Sequence, residues 1–302
     1  MSQPAASPPR RKVTVATLDA LRRRGESAVF LTAYDYPTAV FADRAGVDML
    51  LVGDSAAMTM LGHAATTSIT MPEMLTFAAA VCRGASHPFV VGDLPFLAYQ
   101  PSDRDAITNA GAFIRVGCDA VKCEGGARIA RRVRAMTDAG IAVMGHLGLT
   151  PQSLGQLGGY RVQGKTLAAV DALLSDALAL QDAGAFSLLL EAVPPEAAAY
   201  LRERLDIAVY GIGAGPHVDG QLVISHDILG NFVGEIRPRF VRRYLDLDAA
   251  ITAALQEYAD DVRSGRFPAP EQCYATTPDH AACINAAAHS SLSPADLVTL
   301  CP

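Results

Sequence analysis

The chain of 302 residues has no Cys-x-x-Cys pair and no long basic run. Each lack removes a class of function. Its cysteines, Cys82, Cys118, Cys123, Cys273, Cys283 and Cys301, are scattered, so neither a disulfide framework nor a zinc site is indicated. Cys118 and Cys123 fall within an apolar run, where a thiol behaves as a small hydrophobe. Arg10-Arg11-Lys12 and Arg22-Arg23-Arg24 are short and read as solvated charge. A formal charge of −6 argues against nucleic-acid or anionic-membrane partners, because both select basic surfaces. No apolar run approaches the length that crosses a bilayer, and residues 1–11 lack the apolar stretch of an export signal. The expected location is the cytoplasm.

What is present is apolar mass and a repeated punctuation. Hydrophobic residues make up 50% of the chain, enough for a substantial core. Four times a small or apolar residue and a Gly precede a short apolar run: Ala45-Gly46, Val116-Gly117, Ala139-Gly140 and Ala183-Gly184. Gly accepts positive φ just past a helix, so each reads as a helix end feeding a strand. The runs at 47–52, 118–123, 141–145 and 185–190 are nearly continuously apolar, as strands buried on both faces of a parallel sheet are. Thr70-Met71-Pro72-Glu73 and Ser102-Asp103-Arg104-Asp105 carry helix-start signals. Runs at 28–33, 88–92, 207–211 and 222–224 bring the expected strands to about eight. Their spacing suits an α/β fold, either a closed (β/α)₈ barrel or a doubly wound open sheet. A short amphipathic helix is expected over 13–25 and a final helix over 248–263. Residues 1–12 and 275–302 read as poorly ordered tails around one catalytic domain, 13–274.

Polar residues end nearly every apolar run. Asp54-Ser55, Asp93, Lys122 with Glu124, His146 and Glu191 all stand at expected strand ends, and Gly211-Ile212-Gly213-Ala214-Gly215 follows the seventh. A single strand-end Asp ordinarily caps a turn. On one barrel rim, however, Asp54, Asp93, Glu124 and Glu191 would repel one another, and Lys122 neutralises one at most. A divalent cation relieves this, and oxygen donors favour Mg²⁺ or Mn²⁺ over Zn²⁺. A 2-oxo acid can chelate such a metal, which stabilises the enolate formed when the adjacent carbon loses a proton; a spare carboxylate serves as base. Lys122 and Glu124, two apart on a strand, share a face. Glu191 follows Leu188-Leu189-Leu190 with no cation nearby in sequence, an apolar setting that raises a carboxyl pKa. The glycines at 211–215 suit an anion, a flat ring or merely a tight turn. His63, His217 and His226 stand as weaker candidates for the rim.

The chain resembles the 3-methyl-2-oxobutanoate (ketopantoate) hydroxymethyltransferase family. The likeness lies in Leu31-Thr32-Ala33-Tyr34-Asp35, Val52-Gly53-Asp54-Ser55, Asp93-Leu94-Pro95-Phe96, Val121-Lys122-x-Glu124-Gly125-Gly126 and Gly145-His146-Leu147-Gly148. It continues through Gly158-Gly159-Tyr160, Leu190-Glu191-x-Val193-Pro194 and His226-Asp227. The resemblance implies a TIM barrel with a short N-terminal helix and extra C-terminal helices. It implies Asp54, Asp93 and Glu124 around Mg²⁺, the last directly or through water. Asp54, Ser55, Asp93 and Lys122 would hold the keto acid, and Glu191 would take the proton from C3. The implied reaction transfers a hydroxymethyl group from 5,10-methylenetetrahydrofolate to 3-methyl-2-oxobutanoate, giving 2-dehydropantoate on the way to pantothenate and coenzyme A. The family assembles as homodecamers, so a homo-oligomer is expected. Two other classes share parts of the pattern: a metal-dependent lyase, which would add a catalytic loop Cys, and an inactive assembly barrel, which would have eroded acids.

Overall fold

The structure, a computed structural model, describes residues 10–234 and 238–288. α1 (Val15–Arg24) opens it and is followed by β1 (Ala28–Thr32), α2 (Tyr36–Ala45), β2 (Met49–Val52) and the single turn α3 (Ala56–Thr59). Next come α4 (Met71–Gly84), β3 (Phe89–Asp93), α5 (Asp103–Arg115), β4 (Ala120–Glu124) and α6 (Ala127–Asp138). β5 (Val143–Gly148) leads through the short α7 (Leu154–Leu157) to α8 (Leu167–Asp182), β6 (Ser187–Glu191) and α9 (Pro195–Arg202). β7 (Ala208–Ile212), β8 (Gly220–Val223) and α10 (Ser225–Leu229) complete the circuit. All neighbouring strands pair in parallel, and β8 returns to β1, so the sheet closes. The open-sheet alternative is excluded.

Local chemistry explains the repeat. The four punctuating glycines, Gly46, Gly117, Gly140 and Gly184, all take positive φ, where a side chain would be strained. At the start of α4 the Glu73 carboxylate accepts from the Thr70 N–H at 2.8 Å, and at α5 the Ser102 hydroxyl accepts from the Asp105 N–H at 3.0 Å. Strand side chains alternate between two cores. Met49, Leu51, Val91, Ala120, Met144 and Leu189 fill the interior, while Leu50, Val52, Val90, Val121 and Leu188 pack outward against the helices. Gly92 faces outward too, and a Cβ there would meet the Phe113 ring at 2.3 Å. Its bareness lets α5 lie close to the sheet.

Two expectations about the ends change. Compact units divide at Met1–Asp246 and Leu247–Pro302, earlier than residue 274, because α11 (Leu247–Arg263) has no buried residue. The stretch from 275, expected to be a poorly ordered tail, contains α12 (Pro278–Ala288). Alanine-rich sequence favours helix by propensity even without an apolar stripe. Residues 1–9 of the expected N-terminal tail and 289–302 of the C-terminal one lie outside the described residues. Among the described cysteines Cys82, Cys118, Cys123 and Cys273 are free, whereas Cys283 is disulfide-bonded, which the scattered spacing did not indicate. The described residues 275–285 are exposed or only partly buried, so deleting 275–302 is expected to move the melting temperature by no more than about 2 °C. Calorimetry checks this; a fall of about 10 °C would give the tail a docking role.

Candidate active site

The two-residue step that fills the interior with apolar side chains also builds the site. Beyond Val91 the next inward position is Asp93; beyond Ala120 come Lys122 and Glu124; beyond Met144, His146; beyond Leu189, Glu191. The strands end in polar residues where they end in the barrel, so these side chains gather at its C-terminal mouth. Asp54 and Ser55 arrive from the turn after β2. All of the expected site residues, Asp54, Ser55, Asp93, Lys122, Glu124 and Glu191, line one cavity of about 360 Å³. Its floor continues the apolar interior through Leu51, Leu189, Ile212 and Leu222.

Lys122 is the centre of charge. Its Nζ donates to both oxygens of Asp93 at 2.8 and 2.7 Å and lies 3.7 Å from Glu124 Oε1. Burial alone would lower its pKa, but Asp93, Glu124 and Asp54 outweigh that and hold the ammonium well above its ordinary range. Asp54 is pushed far up, first by burial and then by the charges of Asp93 and Glu124. Asp93 also rises, chiefly through burial, with Lys122 opposing. Burial acts the same way on Glu124, yet His146 and Lys122 bring its carboxyl below the usual value. Hydrogen bonds fix the orientations. The Asp54 N–H donates to Asp93 Oδ2 at 3.1 Å. Gln152 donates through Nε2 to Asp54 Oδ2 at 3.0 Å and through its N–H to Glu124 Oε2 at 2.9 Å.

Sequence reasoning placed His146 at a strand end without giving it a role. Pairing of β4 with β5 sets Glu124 beside His146, and pairing of β5 with β6 sets Gly148 beside Glu191. The imidazole thereby stands between two acids, Nδ1 at 3.3 Å from Glu124 Oε1 and Nε2 at 3.4 Å from Glu191 Oε2. Neither nitrogen meets full hydrogen-bond geometry, yet each stands within ion-pair reach of a carboxylate. Burial and Lys122 would lower the His146 pKa, and the two carboxylates overcome both, raising it to about 9. The apolar setting expected for Glu191 is therefore corrected: a buried cation lies beside it. Of the weaker histidines, His63 and His217 do not line the cavity, and His226 packs 5.4 Å from the Tyr34 ring. The glycines after β7 serve internal packing, since a Cβ on Gly213 would strike Phe240 at 2.5 Å and one on Gly215 would strike Pro195 at 2.6 Å.

The donor set suits a hard cation. Glu124 Oε1 is buried without a hydrogen-bond partner, and burial, with the charges of Asp93 and Glu124, pushes the Asp54 carboxyl well up. Both mark a shortage of positive charge. Among the described residues, however, no three His, Cys, Asp or Glu side chains are arranged to enclose a metal. Mg²⁺ needs only one or two carboxylates, with water and substrate oxygens for the rest. Asp54 and Asp93 both line the cavity, and the Asp54 backbone N–H ties the two residues together.

The model of the family described as ketopantoate hydroxymethyltransferase matches residues 12–270. A 3-methyl-2-oxobutanoate hydroxymethyltransferase of Moorella thermoacetica is 50% identical over 266 residues, covering 88% of this chain and 98% of that protein. The chain belongs to the ketopantoate hydroxymethyltransferase family. Another member, from Corynebacterium jeikeium, is 48% identical over 88% of this chain and 94% of its own. Membership makes the chain a hydroxymethyltransferase that forms ketopantoate. The barrel itself is shared more widely: phosphonopyruvate hydrolase, in a structure with oxalate and Mg²⁺, superposes with TM-score 0.59 at 13% identity, covering 87% of this chain and 92% of its own. A 2,3-dimethylmalate lyase does so with TM-score 0.56 at 19% identity, covering 91% and 99%. At that identity the likeness is one of fold. The lyase reading called for a cysteine at the site, and among the described residues none lines the cavity; Cys123 is fully buried in the outward core. No helix among the described residues is long and apolar enough to cross a membrane.

Asp227 stands on the cavity wall with no ion pair among the described residues, and burial pushes its carboxyl up to about 6. Its folded pKa thus exceeds the unfolded value, so it removes stability progressively as pH rises from about 4 to about 6. Asp227→Asn is expected to raise the melting temperature at pH 8 by roughly 2 °C and to leave it unchanged at pH 4. Scanning calorimetry at both pH values decides it. An equal gain at each would point to a cause other than ionisation.

Proposed function

We propose that this family member transfers a hydroxymethyl group from 5,10-methylenetetrahydrofolate to 3-methyl-2-oxobutanoate, giving 2-dehydropantoate for pantothenate and coenzyme A synthesis. The supporting observation is the set of inward acids around Lys122 beneath a cavity of about 360 Å³. Asp54 and Asp93 would hold Mg²⁺, with Glu124 reaching it directly or through water. Bound there, Mg²⁺ supplies a Lewis acid that favours the enolate of a chelating 2-oxo acid.

The remaining work belongs to the chain. Lys122 and the Ser55 hydroxyl, itself 2.7 Å from the Tyr34 hydroxyl, orient the keto acid alongside Asp54 and Asp93. Glu191 accepts the proton from C3. C3 forms a bond to the methylene carbon of the folate in an aldol-type addition, and one water supplies the oxygen of the product hydroxyl on that same carbon. Both carbon–nitrogen bonds of the methylene bridge break, and the two folate nitrogens, N5 and N10, take up the proton from C3 and one proton from the water. His146, beside Glu191, faces the carboxylate as it gains and loses charge.

The test is C3 deuterium exchange of 3-methyl-2-oxobutanoate with and without Mg²⁺, then addition of 5,10-methylenetetrahydrofolate. Exchange that needs the metal, followed by folate-dependent product, is the expected result. Exchange indifferent to Mg²⁺ would remove the metal from the mechanism, and absence of product on adding folate would remove the donor. With this reading we propose a cytoplasmic location and a homodecameric assembly.

A further inference from the structure

The floor and the lip of the cavity differ in chemistry. The floor carries Asp54, Asp93, Glu124 and Glu191 with Lys122 and His146, groups that a five-carbon keto acid and its metal would engage on the reading above. The lip is built from two loops, one carrying Tyr160, Arg161 and Val162 and the other Pro238, Arg239 and Phe240. Tyr160, Val162 and Phe240 are 48%, 44% and 45% exposed, so apolar and aromatic surface faces the opening. Tyr160 reaches far enough down for Glu191, Asp54 and Glu124, after burial, to raise its pKa. Its hydroxyl lies 3.9 Å from Met58 Sδ. Phe240 lies against the bare face of Gly213, which holds its ring at the rim. Arg161 and Arg239 are exposed, and neither guanidinium has an ion pair or hydrogen bond among the described residues. Cavities of 300–1,000 Å³ accommodate ligands well above the size of a five-carbon acid, and about 360 Å³ is open here.

Resting on the hydroxymethyl-transfer reading above, we propose that Arg161 and Arg239 dock the glutamyl carboxylates of the one-carbon carrier, with Tyr160 and Phe240 flanking its rings. Three features of the lip coincide with that ligand. A tetrahydrofolate carries a flat pyrimidinone ring and a flat aminobenzoyl ring, which pack on aromatic side chains. It ends in a glutamate whose carboxylates match the fork of a guanidinium, and Arg binds such groups in pairs of parallel hydrogen bonds. Its reactive methylene must reach the acidic floor while its anionic end stays away from four carboxylates. A cationic lip above an acidic floor gives the carrier only one favourable direction of entry.

The experiment measures KM for 5,10-methylenetetrahydrofolate and, separately, for 3-methyl-2-oxobutanoate in wild type, Arg161→Gln, Arg239→Gln and the double variant. The folate KM is expected to rise roughly fivefold in each single variant and roughly twentyfold in the double, with the keto-acid KM the lesser change. The methylene derivative of a tetrahydropterin bearing an anilinomethyl group, which keeps N10 but has no carboxylate tail, is the second probe, and the variants should handle it as the wild type does. The wild-type folate KM should also climb with added KCl, and the climb should disappear in the double variant. An unchanged folate KM in the double variant, or an equal loss with the tail-less pterin, would overturn the dock. Either result leaves wild-type turnover with folate in place, whereas a wild type that makes no product from folate would instead overturn the transfer reading itself.

Discussion

Glu191→Gln is expected to exchange the C3 proton of 3-methyl-2-oxobutanoate about 10²–10⁴-fold more slowly than the wild type, while still binding the keto acid. The amide keeps the size of the side chain and removes its capacity to accept a proton. Glu191 sits at the end of β6 with 18% of its side chain exposed and His146 Nε2 at 3.4 Å. It is therefore reachable by substrate and oriented by a fixed neighbour. The other inward glutamate, Glu124, is 1% exposed and shared between Lys122 and His146, a position suited to holding charge in place. Glu124→Gln should accordingly weaken metal binding first, with exchange partly recovered at high Mg²⁺. The measurement is exchange by proton NMR at saturating Mg²⁺ for both variants. Wild-type exchange in Glu191→Gln together with a dead Glu124→Gln would require the two roles to be swapped.

The second large effect concerns folding. Lys122→Met is expected to cost about 3–5 kcal/mol and to lower the melting temperature by roughly 10 °C. The ammonium is 4% exposed and serves Asp93 at 2.7 Å and Glu124 at 3.7 Å. Methionine fills much of the same space but leaves those acids without their cation in a buried setting. Removing one partner of such a cluster costs more than the cluster contributed, because an uncompensated charge remains. Adding Asp93→Asn to Lys122→Met should restore part of the loss. Urea denaturation of the two variants and the wild type measures both steps. If the single variant unfolds at the wild-type midpoint, the Lys122 cluster is not what holds the mouth of the barrel.

Much of this architecture is visible in the residues alone, for a physical reason that varies from part to part. Strands buried on both faces are continuous apolar runs, so 47–52 and 185–190 identified themselves, and Gly46 and Gly184 marked the turns into them. Asp93, Lys122 and Glu124 were legible as a set because they end such runs. The placement of His146 between Glu124 and Glu191 was not, since it depends on the register of β4, β5 and β6 once the barrel is closed. For the same reason Glu191, flanked by leucines along its own strand, gave no sign of the imidazole on the next. Arg161 and Arg239 lie in loops, where no periodicity reports which way a residue turns. Gly213 appeared open to a ligand because its packing partner, Phe240, is far along the chain. Helix α12 escaped notice because its alanines carry propensity without pattern.

The inward column of β4 has a consequence for how this chain can vary in length. Ala120, Lys122 and Glu124 face the lumen, and Val121 and Cys123 face the helices. Because the side-chain period of a strand is two, inserting or deleting one residue ahead of Lys122 exchanges the two sets. The ammonium and the carboxylate would then be driven among α5 and α6, and a thiol would replace them over the substrate. The same holds for β3 and β6, where a slip of one residue would carry Asp93 or Glu191 out of the lumen. An insertion or deletion that preserves the site therefore has to fall in a connecting loop, because the spacing within each strand sets which side chains reach the lumen.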